Sequence, residues 1–516
     1  MLLAFYKVGI FMNIGKVFLV GSGPGDPELI SVKGLNCIKN ADVILHDRLI
    51  DTSLLENVKE SSEIINVGKS PGDSLLIQDR INELMREKAL LGKYVVRLKG
   101  GDPFIFGRGS EEAQFLKKHG LKFEIVPGIS SIYSVAAYAG IPLTHRGTSS
   151  SFTVLTGTEV LNSPEKLIGF RNILPYGDTL IVLMGLKNIE NIVDVFINKG
   201  LDKNTPVALI GSGTTSRQNI IVGDLYNIID KLNSVNISTP VVAIFGEVVK
   251  LRKEIKWFDN KPLFGKNILI TRSKNQSSAI EKLLRSEGAN PIIFPTIEIK
   301  PINKYKNLDK YLLNSKSFDW ILFTSQNAVN PFFDRMFELG IDLRYLSSVK
   351  IGAIGSITSD TLKYYGIVPD VVGVNNNSSD FIDEFEDINF RGLKILLPTG
   401  NKSKNYLYNS LIDKGANPTN LEIYKTVEPG YSKSDLYKIF DNGIDICTFT
   451  SPSTVENLVK FIDGDLNLLS KSTIACIGSV TASAAEGIGL RVEIISKEYT
   501  IEGLLGAIEN YYIQDL

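Results

Sequence analysis

The chain has 516 residues, 43% hydrophobic and 22% charged, and 56 Lys and Arg against 57 Asp and Glu leave a net charge of −1. The length asks for about three domains, and the composition is that of ordinary soluble globular protein. The charge balance argues against a nucleic-acid or membrane-surface partner held by bulk charge. Cys37, Cys447 and Cys476 stand far apart with no C-x-x-C spacing. They read as buried thiols in a reducing compartment. His46, His119 and His145 lack metal-ligand spacing, so no metal site is expected. No apolar run approaches the ~18 residues of a membrane span. Residues 1–13 are apolar with Lys7 the one cation and no small-residue cleavage site. They read as an N-terminal extension of a cytoplasmic protein.

Val17-Phe18-Leu19-Val20 is a buried-type strand followed by Gly21-Ser22-Gly23-Pro24-Gly25-Asp26-Pro27. This glycine turn is neither a G-x-G-x-x-G fingerprint, because Pro24 and Pro27 keep a helix from starting there, nor a P-loop, because no Gly-Lys-Ser/Thr follows. Residues 41–50 form a second strand with Asp47 near its carboxyl end, and residues 64–69 a third ending in Lys69. In an open α/β sheet that end is where ligands sit. Residues 76–92 carry helical periodicity. The stretch Val95–Gly109 then runs from an apolar strand through Gly100-Gly101-Asp102-Pro103 into a second glycine loop and a helix. Strand, tight loop, helix brings bare backbone N–H groups against a small ligand. Asp102 can accept from a hydroxyl or a cation there, although Gly-Asp-Pro is also an ordinary turn. Further strands at 123–126, 180–184, 207–210 and 241–245 nearly all end in glycine, proline or a small polar residue. That pattern spreads a site over several strand ends.

Gly23–Pro27, Asp47–Ile50, Val67-Gly68-Lys69, Val95–Glu112, Val126–Ser130 and Gly140–Arg146 together resemble the uroporphyrinogen-III C-methyltransferases of the tetrapyrrole methylase family. The resemblance covers about residues 14–257. It implies two α/β subdomains with S-adenosyl-L-methionine in the cleft between them. It implies Pro24, Gly100, Gly101, Asp102, Ile105, Ser130, Ser131, Met184 and Gly213 around that cofactor, Asp47 as proton acceptor and Lys69 as proton donor. A pyrrole carbon that attacks a sulfonium methyl must lose a proton or shift a double bond, and a carboxylate near it is useful. Taken alone, Asp47 also reads as a helix N-cap, Lys69 as a solvated loop charge and Met184 as core filler. The chain departs from the family pattern at Thr158, at His46 and across Ser70-Pro71-Gly72-Asp73-Ser74, all on the substrate side.

Residues 258–266 read as a linker. Beyond them the chain repeats itself: Phe323-Thr324-Ser325 returns as Phe449-Thr450-Ser451, 126 residues later. Ile354-Gly355-Ser356 returns as Ile477-Gly478-Ser479 after 123, and Gly288-Ala289-Asn290-Pro291 as Gly415-Ala416-Asn417-Pro418 after 127. Three matches at nearly one offset predict two similar α/β lobes. Each Thr-Ser or Gly-Ser pair ends a strand and caps a helix, a device that also binds anions. The ordered set Ile268–Arg272, Phe323–Ser325, Ile423–Thr426 and Gly478–Thr481 resembles the uroporphyrinogen-III synthase family across residues 267–516. The resemblance implies two lobes joined by a two-stranded connection and hydroxymethylbilane as substrate. Tyr424 would assist loss of the hydroxyl, its alternative being a core aromatic. Thr324, Ser325, Thr450, Ser451, Thr481 and Arg272 would bind carboxylates.

The expectation is a bifunctional α/β enzyme: a synthase half that makes uroporphyrinogen III and a methylase half that converts it to precorrin-2. It would serve sirohaem or cobalamin synthesis as a homodimer through the methylase half, with tetrapyrrole partners and neither nucleic acid nor membrane. The rival expectation is an RNA methyltransferase of the same fold with a non-catalytic two-lobed ligand-binding module.

Overall fold

The computed structural model describes residues 14–68, 75–157, 178–302, 305–373, 388–403, 406–431, 433–441 and 443–513. Lys69, loop 70–74, Thr158 and the extension 1–13 lie outside the described residues. The chain divides into two compact units, changing over between Lys266 and Asn267. The length had suggested about three domains; instead, each unit carries two sheets.

In the first unit, β1 (Lys16–Gly21), β2 (Val43–His46), β3 (Glu63–Asn66), β4 (Tyr94–Lys99) and β5 (Lys122–Val126) form one parallel sheet in the order β3-β2-β4-β1-β5. Its central strands are continuous apolar runs because both faces are covered. Val17 and Leu19 pack with Ile81, Met85 and Leu116 from the helices Leu75–Leu90 and Gly109–Lys118. Phe18 and Val20 pack on the other face with Cys37 and Ile38 of the helix Val32–Asn40. After β1 the chain crosses to β2 on one side, and after β4 it crosses to β5 on the other. Neighbouring strands whose exits diverge open a crevice at their carboxyl ends.

The second sheet comprises β6 (Phe152–Thr156), β7 (Thr179–Leu183), β8 (Pro206–Gly211), β9 (Asn219–Asp224) and β10 (Val241–Phe245) in the order β6-β7-β10-β8-β9. β7 and β8 both run antiparallel to β10, so their carboxyl ends share one edge. The two subdomains are latched through the first glycine loop. The Asp26 N–H donates to Thr214 Oγ1 at 3.2 Å, and the Tyr138 hydroxyl donates to Asp26 Oδ2 at 2.7 Å.

The stretch expected to be a linker is packed instead. Phe258 and Leu263 are buried, and Trp257 donates its indole N–H to the Ala137 carbonyl at 2.9 Å. Apolar and aromatic side chains spaced through a Pro/Asn/Asp/Lys-rich segment outweigh its loop-like composition.

In the second unit, β11 (Asn267–Ile270), β12 (Asn290–Ile293), β19 (Ile446–Phe449), β20 (Thr473–Cys476) and β21 (Ile494–Ile495) form a sheet ordered β12-β11-β19-β20-β21. β13 (Glu298–Pro301), β14 (Trp320–Phe323), β15 (Lys350–Ala353), β16 (Val371–Val372), β17 (Lys394–Gly400) and β18 (Asn417–Val427) form the other, ordered β13-β18-β17-β14-β15-β16. Apart from the added edge strand β13, the two orders correspond strand for strand, as the repeat predicts. The chain enters one lobe, leaves after β12, builds the other whole, and returns at β19. Two crossings therefore join the lobes. Ser325, Ser451, Gly355 and Gly478 occupy N-cap positions, as read from the sequence. The three cysteines are buried and free.

The core of the larger lobe centres on Phe332, fully buried with its ring 5.3 Å from that of Phe323 and 5.2 Å from that of Phe333. Phe332→Ala should destabilise this unit by about 3–5 kcal/mol. Urea denaturation would show its midpoint falling while ligand binding by the first unit persists.

Candidate active sites

Three glycine loops meet at the crevice between β1 and β4. Gly101 N–H donates to the Gly23 carbonyl at 2.7 Å, and Gly23 N–H returns to the Gly101 carbonyl at 3.3 Å. A Cβ on Gly128 would stand 2.2 Å from the Gly101 carbonyl oxygen, and one on Gly21 2.5 Å from the same atom. Only bare backbone fits there. Gly100 faces open space. Asp102 ties the loops together: one carboxylate oxygen accepts from Phe104 N–H at 2.8 Å, the other from Gly128 N–H at 3.0 Å. The acid expected to meet a ligand therefore first braces the cradle. Ser130 caps the helix Ser131–Tyr138, its hydroxyl accepting from Ile132 N–H at 3.3 Å. The Ser131 nitrogen lies 3.9 Å from where a Gly101 Cβ would be. Gly25, beside Pro24, backs onto Gly213, Thr214 and Thr215, and Gly213 in turn abuts Val135. Pro24, Gly100, Gly101, Asp102, Ser130, Ser131 and Gly213 thus share one neighbourhood.

Ile105 is exposed between Phe104 and Phe106, and half-exposed Met184 ends β7 on the sheet edge that also carries Gly211. Among the described residues, Phe106, Arg108, Met184, Ser212, Thr214 and Asp463 are the non-glycine residues with positive φ. Five of these lie on loops of this unit's crevice edges. Strain of this kind persists where the surroundings impose it, and it gathers at ligand clamps. Open glycine backbone, small hydroxyls, a braced carboxylate and exposed apolar side chains suit an amino acid joined through a sulfonium to a nucleoside. S-adenosyl-L-methionine fits that donor set.

Asp47 follows β2 on the same edge and caps no helix. Its Oδ1 accepts from Arg97 Nη2 at 2.5 Å, and its side chain remains one-third exposed. Arg97, Lys99 and Glu112 are buried behind it. The sequence reading treated residues 95–99 as a plain apolar strand and missed this cluster. The available signal was two cations spaced by two on a strand otherwise buried on both faces, with an acid in the next helix.

In the second unit, Ser325 accepts from Asn327 N–H at 3.1 Å and lies near the Tyr424 hydroxyl. Tyr424 is buried in the lobe core, its ring lying where a Gly400 Cβ would be, and burial pushes its phenol up. The structure places Tyr424 in the core of its lobe, which is the alternative reading of this aromatic. Thr324 shares that strand end. In the other lobe Arg272, Thr450 and Ser451 end the adjacent parallel strands β11 and β19. Arg272 is largely buried, and burial pushes its guanidinium down. Among the described residues it has no ion pair, and the buried Ser273 hydroxyl beside it has no hydrogen-bond partner. Thr481 lies on the buried face of the helix Ser479–Gly487, which leaves little of its side chain for a ligand.

Gly128→Ala should weaken binding of S-adenosylhomocysteine at least about tenfold, since the new methyl must push the Gly101 loop aside. Calorimetric titration checks this.

The tetrapyrrole (corrin/porphyrin) methylase family matches residues 16–229, and the uroporphyrinogen-III synthase HemD family matches residues 278–506. The porphyrin biosynthesis protein HemD of Ruminiclostridium josui is 34% identical over 505 residues, 96% of this chain and 97% of that protein. The uroporphyrinogen-III C-methyltransferase of Methanocaldococcus jannaschii is 49% identical over 238 residues, 46% of this chain and 98% of that protein. The crystal structure of uroporphyrin-III-C-methyltransferase from Thermus thermophilus is 34% identical and covers 47% of this chain and 97% of its own, with a TM-score of 0.40. With a glycine-lined crevice in the first unit and a relative 34% identical over nearly the whole of both chains, the chain belongs to the family in which a tetrapyrrole methylase is fused to a uroporphyrinogen-III synthase.

Proposed function

We propose that the C-terminal half cyclises hydroxymethylbilane to uroporphyrinogen III with inversion of the last ring. The N-terminal half then methylates that product twice, giving precorrin-2 for sirohaem or cobalamin synthesis. The observation that carries this reading is the likeness, along nearly the whole of both chains, to a porphyrin biosynthesis protein. That likeness and the net charge of −1 leave the RNA-methyltransferase alternative without support.

S-adenosyl-L-methionine supplies the electrophilic methyl group. Gly100, Gly101 and the loop carrying Ser130 and Ser131 hold it against the backbone, with Pro24, Asp102, Ile105, Met184 and Gly213 around it. Methylation leaves the attacked ring carbon fully substituted, so the double bond shifts and Asp47 accepts the proton that leaves a neighbouring position of the macrocycle. Its second oxygen is the one free to do so, because the first is held by Arg97. Lys69 is the proton donor of this reading. In the other half, the Tyr424 phenol stays protonated until it gives its proton to the departing hydroxyl, and nearby Ser325 favours the phenolate left behind. Arg272 takes a substrate carboxylate, with Thr324, Ser325, Thr450, Ser451 and Thr481 as further contacts. The remaining catalysis is positioning of a contorted chain. The protein works as a cytoplasmic homodimer joined through its methylase half. Among the described residues, no helix is long and apolar enough to cross a membrane.

The test is product analysis after supplying hydroxymethylbilane with and without S-adenosyl-L-methionine. Uroporphyrinogen III should form without the cofactor and a dimethylated product with it. Appearance of the I isomer alone, the spontaneous product, would sink the synthase assignment. Arg272→Gln should raise KM for hydroxymethylbilane roughly tenfold with kcat little changed, the signature of lost uniform binding worth about 1.4 kcal/mol. Steady-state kinetics of cyclisation read this directly.

A further inference from the structure

Arg97 and Lys99 project from the same face of β4, and both are buried. Glu112, fully buried on the helix Gly109–Lys118, meets both with one oxygen: Oε1 accepts from Arg97 Nε at 3.2 Å and Lys99 Nζ at 3.0 Å. The same oxygen accepts from Gln78 Nε2 at 3.1 Å, while Oε2 is buried without a partner among the described residues. Arg97 Nη1 donates to the carbonyls of Leu45 at 3.3 Å and Leu98 at 3.2 Å. The guanidinium is therefore fixed on three sides by Glu112 and two backbone carbonyls. Its remaining nitrogen, Nη2, reaches Asp47.

Such a cluster is a poor way to stabilise a sheet. Desolvating ions is expensive, and apolar replacements of buried ion pairs are often neutral or stabilising. Burial and the neighbouring Arg97 push the Lys99 ammonium down. Within the cluster two cations face one buried anion, Glu112. Asp47 is the second anion, which balances the charge, and it is the member whose side chain reaches the crevice edge. Buried ionisable groups arranged behind one exposed carboxylate mark a tuned site more than a structural one.

We propose that Arg97 is a positioning residue for Asp47, held in place by Glu112, so that one carboxylate oxygen is anchored and the other is presented to the substrate. This rests on the reading of Asp47 as the proton acceptor. Unanchored, a one-third-exposed carboxylate at a strand end would rotate freely and spend little time aligned with the carbon that loses its proton. Lys99 holds Glu112 from the opposite side, which keeps that acid from pulling Arg97 back along the strand.

The test compares Arg97→Lys, Glu112→Gln and Asp47→Asn in the full chain. A lysine can satisfy Glu112 or Asp47 but cannot span both with a rigid fork. Arg97→Lys should lower kcat for methylation by roughly 30- to 100-fold, the scale of a small misplacement of a reacting group. KM for S-adenosyl-L-methionine and affinity for S-adenosylhomocysteine should stay within about twofold. Glu112→Gln should fall between Arg97→Lys and the parent chain. In an Asp47→Asn background, Arg97→Lys should add no further loss, because the group it positions is gone. Parent-like kcat in folded Arg97→Lys and Glu112→Gln would overturn the inference. So would a loss of kcat matched by an equal loss of S-adenosylhomocysteine affinity, since that is a structural defect. If Asp47→Asn itself methylates at the parent rate, the proton-acceptor reading fails instead, whatever the Arg97 variants do.

Discussion

Everything at the methylase site depends on one close approach, the carbonyl of Gly101 lying against the backbones of Gly21 and Gly128. No side chain fits at that junction, so three strand exits can converge only where all three loops offer glycine. Convergence is what the topology requires. The exits of β1 and β4 diverge above and below the sheet, and the gap they leave must be lined by backbone rather than filled. Once the backbones touch, Asp102 locks them with two amide hydrogen bonds. The first loop then reaches the second subdomain through Asp26, Thr214 and Tyr138. The strained residues at Phe106, Arg108, Met184, Ser212 and Thr214 are consistent with loops whose positions are dictated from outside.

Much of this was legible in the chain. Continuous apolar runs marked the parallel strands because both faces are covered, and glycine or proline at their ends marked the crevice edge. The repeat marked the two lobes and their four caps, since helix-starting chemistry is local. Non-local features were hidden. The lobes are interleaved because β11 and β12 must wait for β19 to complete their sheet, and nothing in residues 267–293 announces that. Phe258 sits in a segment of loop-like composition, and its burial depends on the Tyr138 ring it packs against. Arg97 and Lys99 looked like interruptions of an apolar strand, because only the fold brings Glu112 and Asp47 to them. Asp102 was placed correctly in the loop. Its bonding to Gly128 depends on a strand end 26 residues away.

The two halves handle charge differently. The methylase half carries a buried network of two cations and an acid behind a carboxylate at the strand edge. The synthase half leaves Arg272 largely buried with no anion of its own among the described residues. Each arrangement is unfavourable for folding alone. The proposed roles would supply what each lacks: a proton to be taken at Asp47, a carboxylate to be met at Arg272.

That contrast follows from the two proposed reactions. Methylation of carbon must discharge a proton from a position of low acidity, so a base has to be held at one angle, and a rigid guanidinium fork is the group that can do so. The proposed ring closure starts from a chain that loses its hydroxyl readily, so it asks of the protein only a proton donor, the role proposed for the buried Tyr424 phenol. Capped helices and Arg272 would then serve to grip a many-carboxylate chain. The methylase site is accordingly built from buried ionic bonds around rigid glycine loops. The synthase half instead offers hydroxyls at helix starts, Ser325 in one lobe and Ser451 in the other.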